Sequence, residues 1–159
     1  MNAKTSNGSV EQACVKCWPT NKSDCNAFVK AVASLFGVEL VGQANDIVSQ
    51  IRRSPWTALQ PGAGVQAKLK AEAGYLVVGG LQDKPNGHVV VVVPGPLDRG
   101  KYPTAYWGKL HHVGNQKKTL NYAWVEGDRD KVIYGYVSVA DPLSDVLSQA
   151  RKSGALRLP

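Results

Sequence analysis

The sequence has 159 residues, of which 43% are hydrophobic and 19% charged, and its 19 basic and 12 acidic side chains give a formal net charge of +7. This length suits a single domain with a core of its own, and the composition excludes a disordered chain. No run of 18 apolar residues occurs, which excludes a membrane-spanning helix. A positive chain suits polyanionic partners such as nucleic acid, anionic lipid or anionic cell wall, and the charge does not choose among them.

The first half of the chain is predicted to be helical. In residues 24–37 the apolar side chains recur at spacings of three and four, which predicts a helix with one face in the core. Ser23 or Asp24 can cap this helix, because a short polar side chain accepts a bond from a free amide of the first turn, and Gly37 ends it. Two further helices are predicted over residues 44–53 and 65–73.

The second half is rich in strand-forming residues. Residues 75–78 and 88–93 flank a turn-rich connection, which indicates a hairpin, and the five valines after His88 predict a central strand covered on both faces. Helices followed by an antiparallel sheet predict a single α+β domain over residues 1–159, with residues 1–9 and 153–159 flexible. Three more strands are predicted over residues 105–110, 122–125 and 132–139, and a last helix over residues 141–152.

Cys25 and His88 are the candidate catalytic pair. Cys25 lies in the first turn of the first predicted helix, where unpaired amides favour a thiolate and can stabilise an oxyanion. His88 opens the valine-rich strand, where it could act as a base. Each residue alone is more often structural: a cysteine as a small buried apolar residue, a histidine as a satisfied or exposed polar one. Together they have the order of papain-like hydrolases, a helix-start cysteine followed by a strand-start histidine.

The other two cysteines allow several interpretations. Cys14 and Cys17 form a Cys-x-x-Cys pair, but no predicted strand precedes it as in a thioredoxin-type motif. A zinc site with Cys25 would lack a second pair and would consume the candidate nucleophile. A short disulfide between Cys14 and Cys17, or plain thiols, remain open. The cysteine cluster and the positive charge together keep a non-enzymatic zinc- or nucleic-acid-binding module as an alternative.

Two segments carry a resemblance to a known family. Residues 21–29 (NKSDCNAFV), continued by LFGV, resemble the cysteine-helix motif of NlpC/P60-type peptidoglycan amidases, and most of all the first family of type VI secretion amidase effectors. Residues 74–81 (GYLVVGGL) and 87–92 (GHVVVV) are similar to the histidine segment of that family. The resemblance covers roughly residues 14–139, with further matches at residues 95–97, 101–103, 124 and 128–130.

The resemblance implies a papain-like NlpC/P60 fold and a specific reaction. Cys25 would be the nucleophile and His88 the general base, and no metal or cofactor would take part. The substrate would be the peptide stem of Gram-negative peptidoglycan, cut through a thioester at the amide between γ-D-glutamate and meso-diaminopimelate. The enzyme would be an antibacterial toxin and a monomer, with no nucleic-acid partner and no stable membrane insertion.

The resemblance also implies a route and an antagonist. The secretion machinery would carry the protein from the cytoplasm in which it is made to the periplasm of a target cell. This route agrees with the polar residues 1–11, which lack the pattern of a secretory signal. A cognate immunity protein would plug the cleft. The alternative with the same chemistry is a phage endolysin.

The group that orients the histidine is left open by the sequence. Papain-like enzymes usually use a third polar group, which in the relatives lies on the next strand, yet residues 105–112 contain no Asp, Asn or Gln. A backbone carbonyl near Tyr106 and Trp107 is favoured, and His111 or His112 is the alternative. The Trp107 ring could form a wall of the substrate groove or simply pack in the sheet.

Overall fold

The computed structural model describes residues 9–139, which form an α+β fold with a six-stranded antiparallel sheet. The helices are α1 (Ser9–Asn21), α2 (Cys25–Leu35), α3 (Ala44–Gln50), α4 (Gly64–Glu72) and α5 (Glu126–Arg129), with a short 3-10 helix at Leu120–Tyr122. The strands are β1 (Thr57–Ala58), β2 (Leu76–Leu81), β3 (His88–Val92), β4 (Thr104–Trp107), β5 (Asn115–Thr119) and β6 (Ile133–Val137). The predicted fold class is confirmed.

The sheet has the strand order β1-β6-β2-β3-β4-β5. Strands β2 and β3 form the predicted hairpin, in which Leu81 pairs with His88. Strand β3 lies between β2 and β4, and its valines alternate between two buried clusters, so the prediction of a central strand covered on both faces is confirmed.

Each face of the sheet has its own core. Helices α1, α2 and α3 cover one face, where Phe28, Val29 and Val32 of α2 are fully buried. Helix α4 covers the other face, together with the buried rings of Trp107 and Tyr134. Among the helices of residues 9–139, none has the length and apolar character needed to cross a membrane.

The three helices predicted in the first half of the chain are confirmed, with shifted ends. Asp24 caps α2 by accepting a hydrogen bond from the Ala27 amide at 3.1 Å, and Gly37 follows the helix with a φ of 72° that suits glycine. Helix α3 ends at Gln50, three residues before the predicted end, and α4 lies one residue earlier than predicted at each end.

The predicted strand over residues 122–125 is wrong. Leu120 is fully buried and starts a 3-10 turn, in which the Ala123 amide donates to the Leu120 carbonyl at 2.9 Å. The strand-forming side chains of Tyr122 and Val125 are 65% and 70% exposed, so no sheet face exists for them to cover. Strand propensity reflects a fit to a half-buried pleated surface, and this surface is missing here.

Other boundaries also differ from the predictions. The strand predicted over residues 105–110 ends at Trp107, and α1, β1 and β5 were not predicted. Ser9, which was expected to be flexible, is the first residue of α1. The predicted helix over residues 141–152, and the rest of the two predicted flexible termini, lie outside the described residues.

Candidate active site

Cys25 is the first residue of α2, and its side chain is buried among the helices. The cap of α2 uses the amides of Ala27 and Phe28, which donate to the side chain and the carbonyl of Asp24. The two preceding amides, of Cys25 and Asn26, face the thiol instead. These are the first-turn amides that a helix leaves without partners of its own, so they are free to meet negative charge on sulfur or on a substrate.

The thiol of Cys25 lies near the backbone of β3, close to where the pairing of β3 with β4 ends. The last paired residues of the two strands on this side are Val91 and Tyr106. Val93 donates its amide to β4, and alternate residues of an antiparallel strand direct their N–H groups to the same neighbour, so the Val89 amide also points toward β4. Beyond the last pair this amide lies near the Cys25 sulfur and lowers the pKa of the thiol.

The turn before Cys25 is fastened to the loop that follows β4. The Lys22 carbonyl accepts hydrogen bonds from the amides of Lys109 at 3.1 Å and Gly114 at 2.8 Å. Gly108 lies against the backbone carbonyls of Asn21 and Asp24, where a Cβ atom would collide with both. The absence of a side chain at Gly108 therefore fixes how closely β4 approaches the start of α2.

The pKa of the Cys25 thiol lies above its ordinary value. Burial is the largest cause, and the nearby Asp24 carboxylate raises the pKa further. The amides of Val89, Asn26 and Cys25 itself lower it, without cancelling the effect of burial. At neutral pH the resting side chain is consequently a thiol.

His88 is the first residue of β3 and its imidazole is half-buried. Its ring meets Trp124 edge to face, with 5.0 Å between the ring centroids, and Trp107 at 6.5 Å. Burial, with a smaller effect from the positive charge of Lys109, lowers the pKa of His88 from 6.5 to about 4. The imidazole is therefore neutral at pH 7 and able to accept a proton.

The link that the structure gives between the two candidate residues is the backbone of Val89. Cys25 contacts the amide of Val89, the residue directly after His88. Sequence reasoning identified both side chains but missed the Val89 amide, because its availability depends on where the pairing of β3 and β4 stops. It also assigned no role to Trp124, which joins the site from a separate segment of the chain.

Trp107 and His111 lie in different surroundings. Trp107 is buried in β4 and its ring contacts His88, while its carbonyl accepts a hydrogen bond from the Trp18 indole at 3.0 Å. His111 lies on the exposed loop after β4, with a φ of 62°. Within residues 9–139, His111 makes no ring contact with His88. In the same part of the chain the His88 imidazole neither accepts nor donates a hydrogen bond. An orienting role for either residue stays a prediction.

The remaining cysteines lie on α1. Cys14 and Cys17 are buried free thiols on successive turns of this helix, and burial raises the pKa of both. Their Cys-x-x-Cys pair is thus inside a helix rather than at its start. Among residues 9–139, no three or more His, Cys, Asp or Glu side chains converge in a way that could hold a metal ion.

The chain is similar to a protein of known activity. It is 40% identical over 124 residues to the peptidoglycan amidase Tse1 of Pseudomonas aeruginosa, and the match covers 76% of this chain and 79% of that protein. The chain belongs to the family of this peptidoglycan amidase. The family indicated by the cysteine and histidine segments is thereby confirmed. No protein-family model matches the chain.

Proposed function

We propose that this protein is a cysteine peptidoglycan amidase that hydrolyses the amide between γ-D-glutamate and meso-diaminopimelate in the peptide stem. The observation that carries the proposal is the position of Cys25 in a member of a peptidoglycan amidase family. Its thiol lies at a helix start among three backbone amides, beside the residue that follows a neutral histidine. This combination supports Cys25 as the nucleophile and His88 as the base.

The pKa values of Cys25 and His88 determine how the nucleophile would form. Because the pKa of Cys25 is raised and that of His88 is lowered, the resting pair is a neutral thiol and a neutral imidazole. The imidazole takes the thiol proton as the sulfur attacks the carbonyl carbon, so general-base catalysis replaces a pre-formed ion pair. The proton then passes from His88 to the leaving amine of diaminopimelate as the carbon–nitrogen bond breaks.

The thioester is then hydrolysed. His88 accepts a proton from water as the water oxygen attacks the thioester carbon, and the thiol of Cys25 leaves with that proton, which restores both groups. In both steps negative charge develops on the carbonyl oxygen. The free amides of Cys25 and Asn26 at the start of α2 are suited to stabilise it, since an oxyanion hole is built from such preorganised donors.

The biological setting proposed here follows from the family. The protein acts as an antibacterial toxin in the periplasm of target Gram-negative cells, after delivery by type VI secretion, and a cognate immunity protein blocks its cleft. The positive charge of the chain would favour its approach to an anionic envelope. A phage endolysin would perform the same chemistry after a different route of delivery.

The proposal is tested by digesting purified diaminopimelate-type muropeptides and determining the product masses. We expect the stem to be cut directly after γ-D-glutamate, and His88→Ala to be inactive yet folded. A cut at another bond would refute the assigned substrate bond, and an active His88→Ala would refute the assigned base. Metal analysis of the same protein separates the enzyme from a zinc-binding module, because stoichiometric zinc held by Cys25 would contradict a cysteine nucleophile.

A further inference from the structure

The His88 imidazole has no polar group to orient it among the described residues. Its side chain forms no hydrogen bond within residues 9–139, and the ring contacts of that part of the chain are those with Trp124 and Trp107. A general base must nonetheless be held in one orientation, because proton transfer requires hydrogen-bond geometry with the thiol and with the leaving group. Among the described residues, the contacts that can hold the imidazole are therefore those of packing.

The two tryptophans differ in how they are built into the fold. Trp107 belongs to β4 and is 1% exposed, so it is a core residue of the sheet. Trp124 is half-buried, lies outside the strands and helices, and is closer to the imidazole, at 5.0 Å with an interplanar angle of 63°. This is the edge-to-face arrangement in which aromatic rings attract each other beyond simple burial.

The segment that carries Trp124 is fastened at both of its ends. On one side Leu120 is fully buried, and its amide donates to the Pro103 carbonyl at 2.9 Å. On the other side the Arg129 Nε donates to the carbonyl of Trp124 itself at 3.0 Å. Arg129 also lies over the ring of Tyr102, at 5.9 Å from its centroid. The indole is thus held against His88 by contacts that do not involve the imidazole.

We propose that Trp124 is the positioning residue of His88, and that its indole fulfils by edge-to-face packing the orienting role that a polar side chain has in other papain-like hydrolases. This inference rests on the proposed function, in which His88 is the general base. Trp124 also excludes water from one side of the imidazole, which disfavours the protonated ring. The other charged group acting on the imidazole is Lys109, on the loop after β4, and its positive charge works in the same direction.

The test compares Trp124→Ala, Trp124→Leu and Trp124→Phe with the native protein. Two readouts are used: the pKa of His88 from NMR titration of its ring, and kcat and KM for a diaminopimelate muropeptide. Val125→Ala is the matched control, since this neighbouring side chain is 70% exposed and is remote from the core. Thermal unfolding confirms that each variant is folded, and Trp124→Leu, which keeps apolar bulk, carries the comparison if Trp124→Ala does not fold.

We expect Trp124→Ala to raise the pKa of His88 toward 6.5 and to move the acid limb of kcat/KM by the same amount. The value of kcat should fall about 10- to 100-fold, with KM changed by less than about threefold, since a displaced base affects the chemical step. Trp124→Phe, which retains an aromatic edge, should restore both readouts to near the native values, and Val125→Ala should alter neither.

Two results would overturn the inference. An unchanged His88 pKa together with an unchanged kcat in Trp124→Ala and Trp124→Leu would mean that the indole neither shields nor positions the imidazole. A raised KM with an unchanged kcat would make Trp124 a substrate contact instead. Failure of the proposed function is separate from both, because it would appear as a native protein that does not cut the stem, and the NMR titration would then still show whether Trp124 shields the imidazole.

Discussion

The neutral state of the half-buried His88 makes stability depend on pH in a defined direction. The pKa of His88 is about 4 in the folded protein and 6.5 in the unfolded chain. Between these two pH values the unfolded chain binds the proton and the folded protein does not. The free energy of unfolding therefore falls as the pH decreases through 6.5 toward 4, whereas above pH 6.5 both states are neutral and this loss is absent. Linkage gives a loss of about 2.5 kcal/mol between pH 7.5 and pH 4.5 from this one group.

Chemical unfolding at these two pH values measures the effect. Carboxylates also titrate in this range, so the loss of unfolding free energy is compared between the native protein and His88→Gln. His111→Gln, which replaces an exposed histidine, is the control. We expect the native protein and His111→Gln to lose about 2.5 kcal/mol more than His88→Gln over this interval. Equal losses in all three proteins would refute the reasoning, because they would show that His88 protonates as readily in the folded protein as in the unfolded chain.

Two further predictions concern the start of α2. Gly108→Val should displace the turn before Cys25, which should destabilise the protein by about 1–3 kcal/mol and lower its activity about 100-fold. Gly127→Ala, where a Cβ atom meets open space, should change neither stability nor activity. Denaturation and muropeptide cleavage measure the two effects, and native behaviour of Gly108→Val would contradict the close approach of β4. Asp24→Asn should keep the helix cap and lower the pKa of the Cys25 thiol, since it removes a nearby negative charge. Asp24→Ala should lose the cap and lower the free energy of unfolding by about 1 kcal/mol. The pH dependence of thiol alkylation and urea unfolding distinguish these variants, and an unchanged alkylation profile in Asp24→Asn would contradict the charge effect.

The sequence was sufficient to predict the elements whose pattern is local. Helix α2 has a regular apolar stripe, a polar cap at Asp24 and a stop at Gly37, and β3 is an uninterrupted apolar run. Helix α1 lacks such a pattern, because its buried side chains are few and small, and β5 (NQKKT) has no apolar face to reveal it as an edge strand. Neither element carries the period from which helices and strands are recognised.

The sequence predicted the two main residues of the candidate site, but not the groups that surround them. The pairing of Cys25 with His88 came from their order and from the family resemblance. The role of the Val89 amide could be recognised only in the sheet, because this amide lies beyond the last residue pair of β3 and β4. Trp124 reaches His88 from 36 positions along the chain, through a segment predicted as a strand, so neither propensity nor spacing could relate the two rings.

The initial rate of stem cleavage by Cys25→Ala tests whether Cys25 is the nucleophile of a peptidoglycan amidase. Cys17→Ala is the matched control, a buried cysteine of the neighbouring helix that faces no substrate in this account. We predict that Cys25→Ala cuts diaminopimelate muropeptides at least about a thousandfold more slowly than the native protein, while Cys17→Ala stays within about threefold of it. Cleavage by Cys25→Ala at a rate close to the native one would contradict the account.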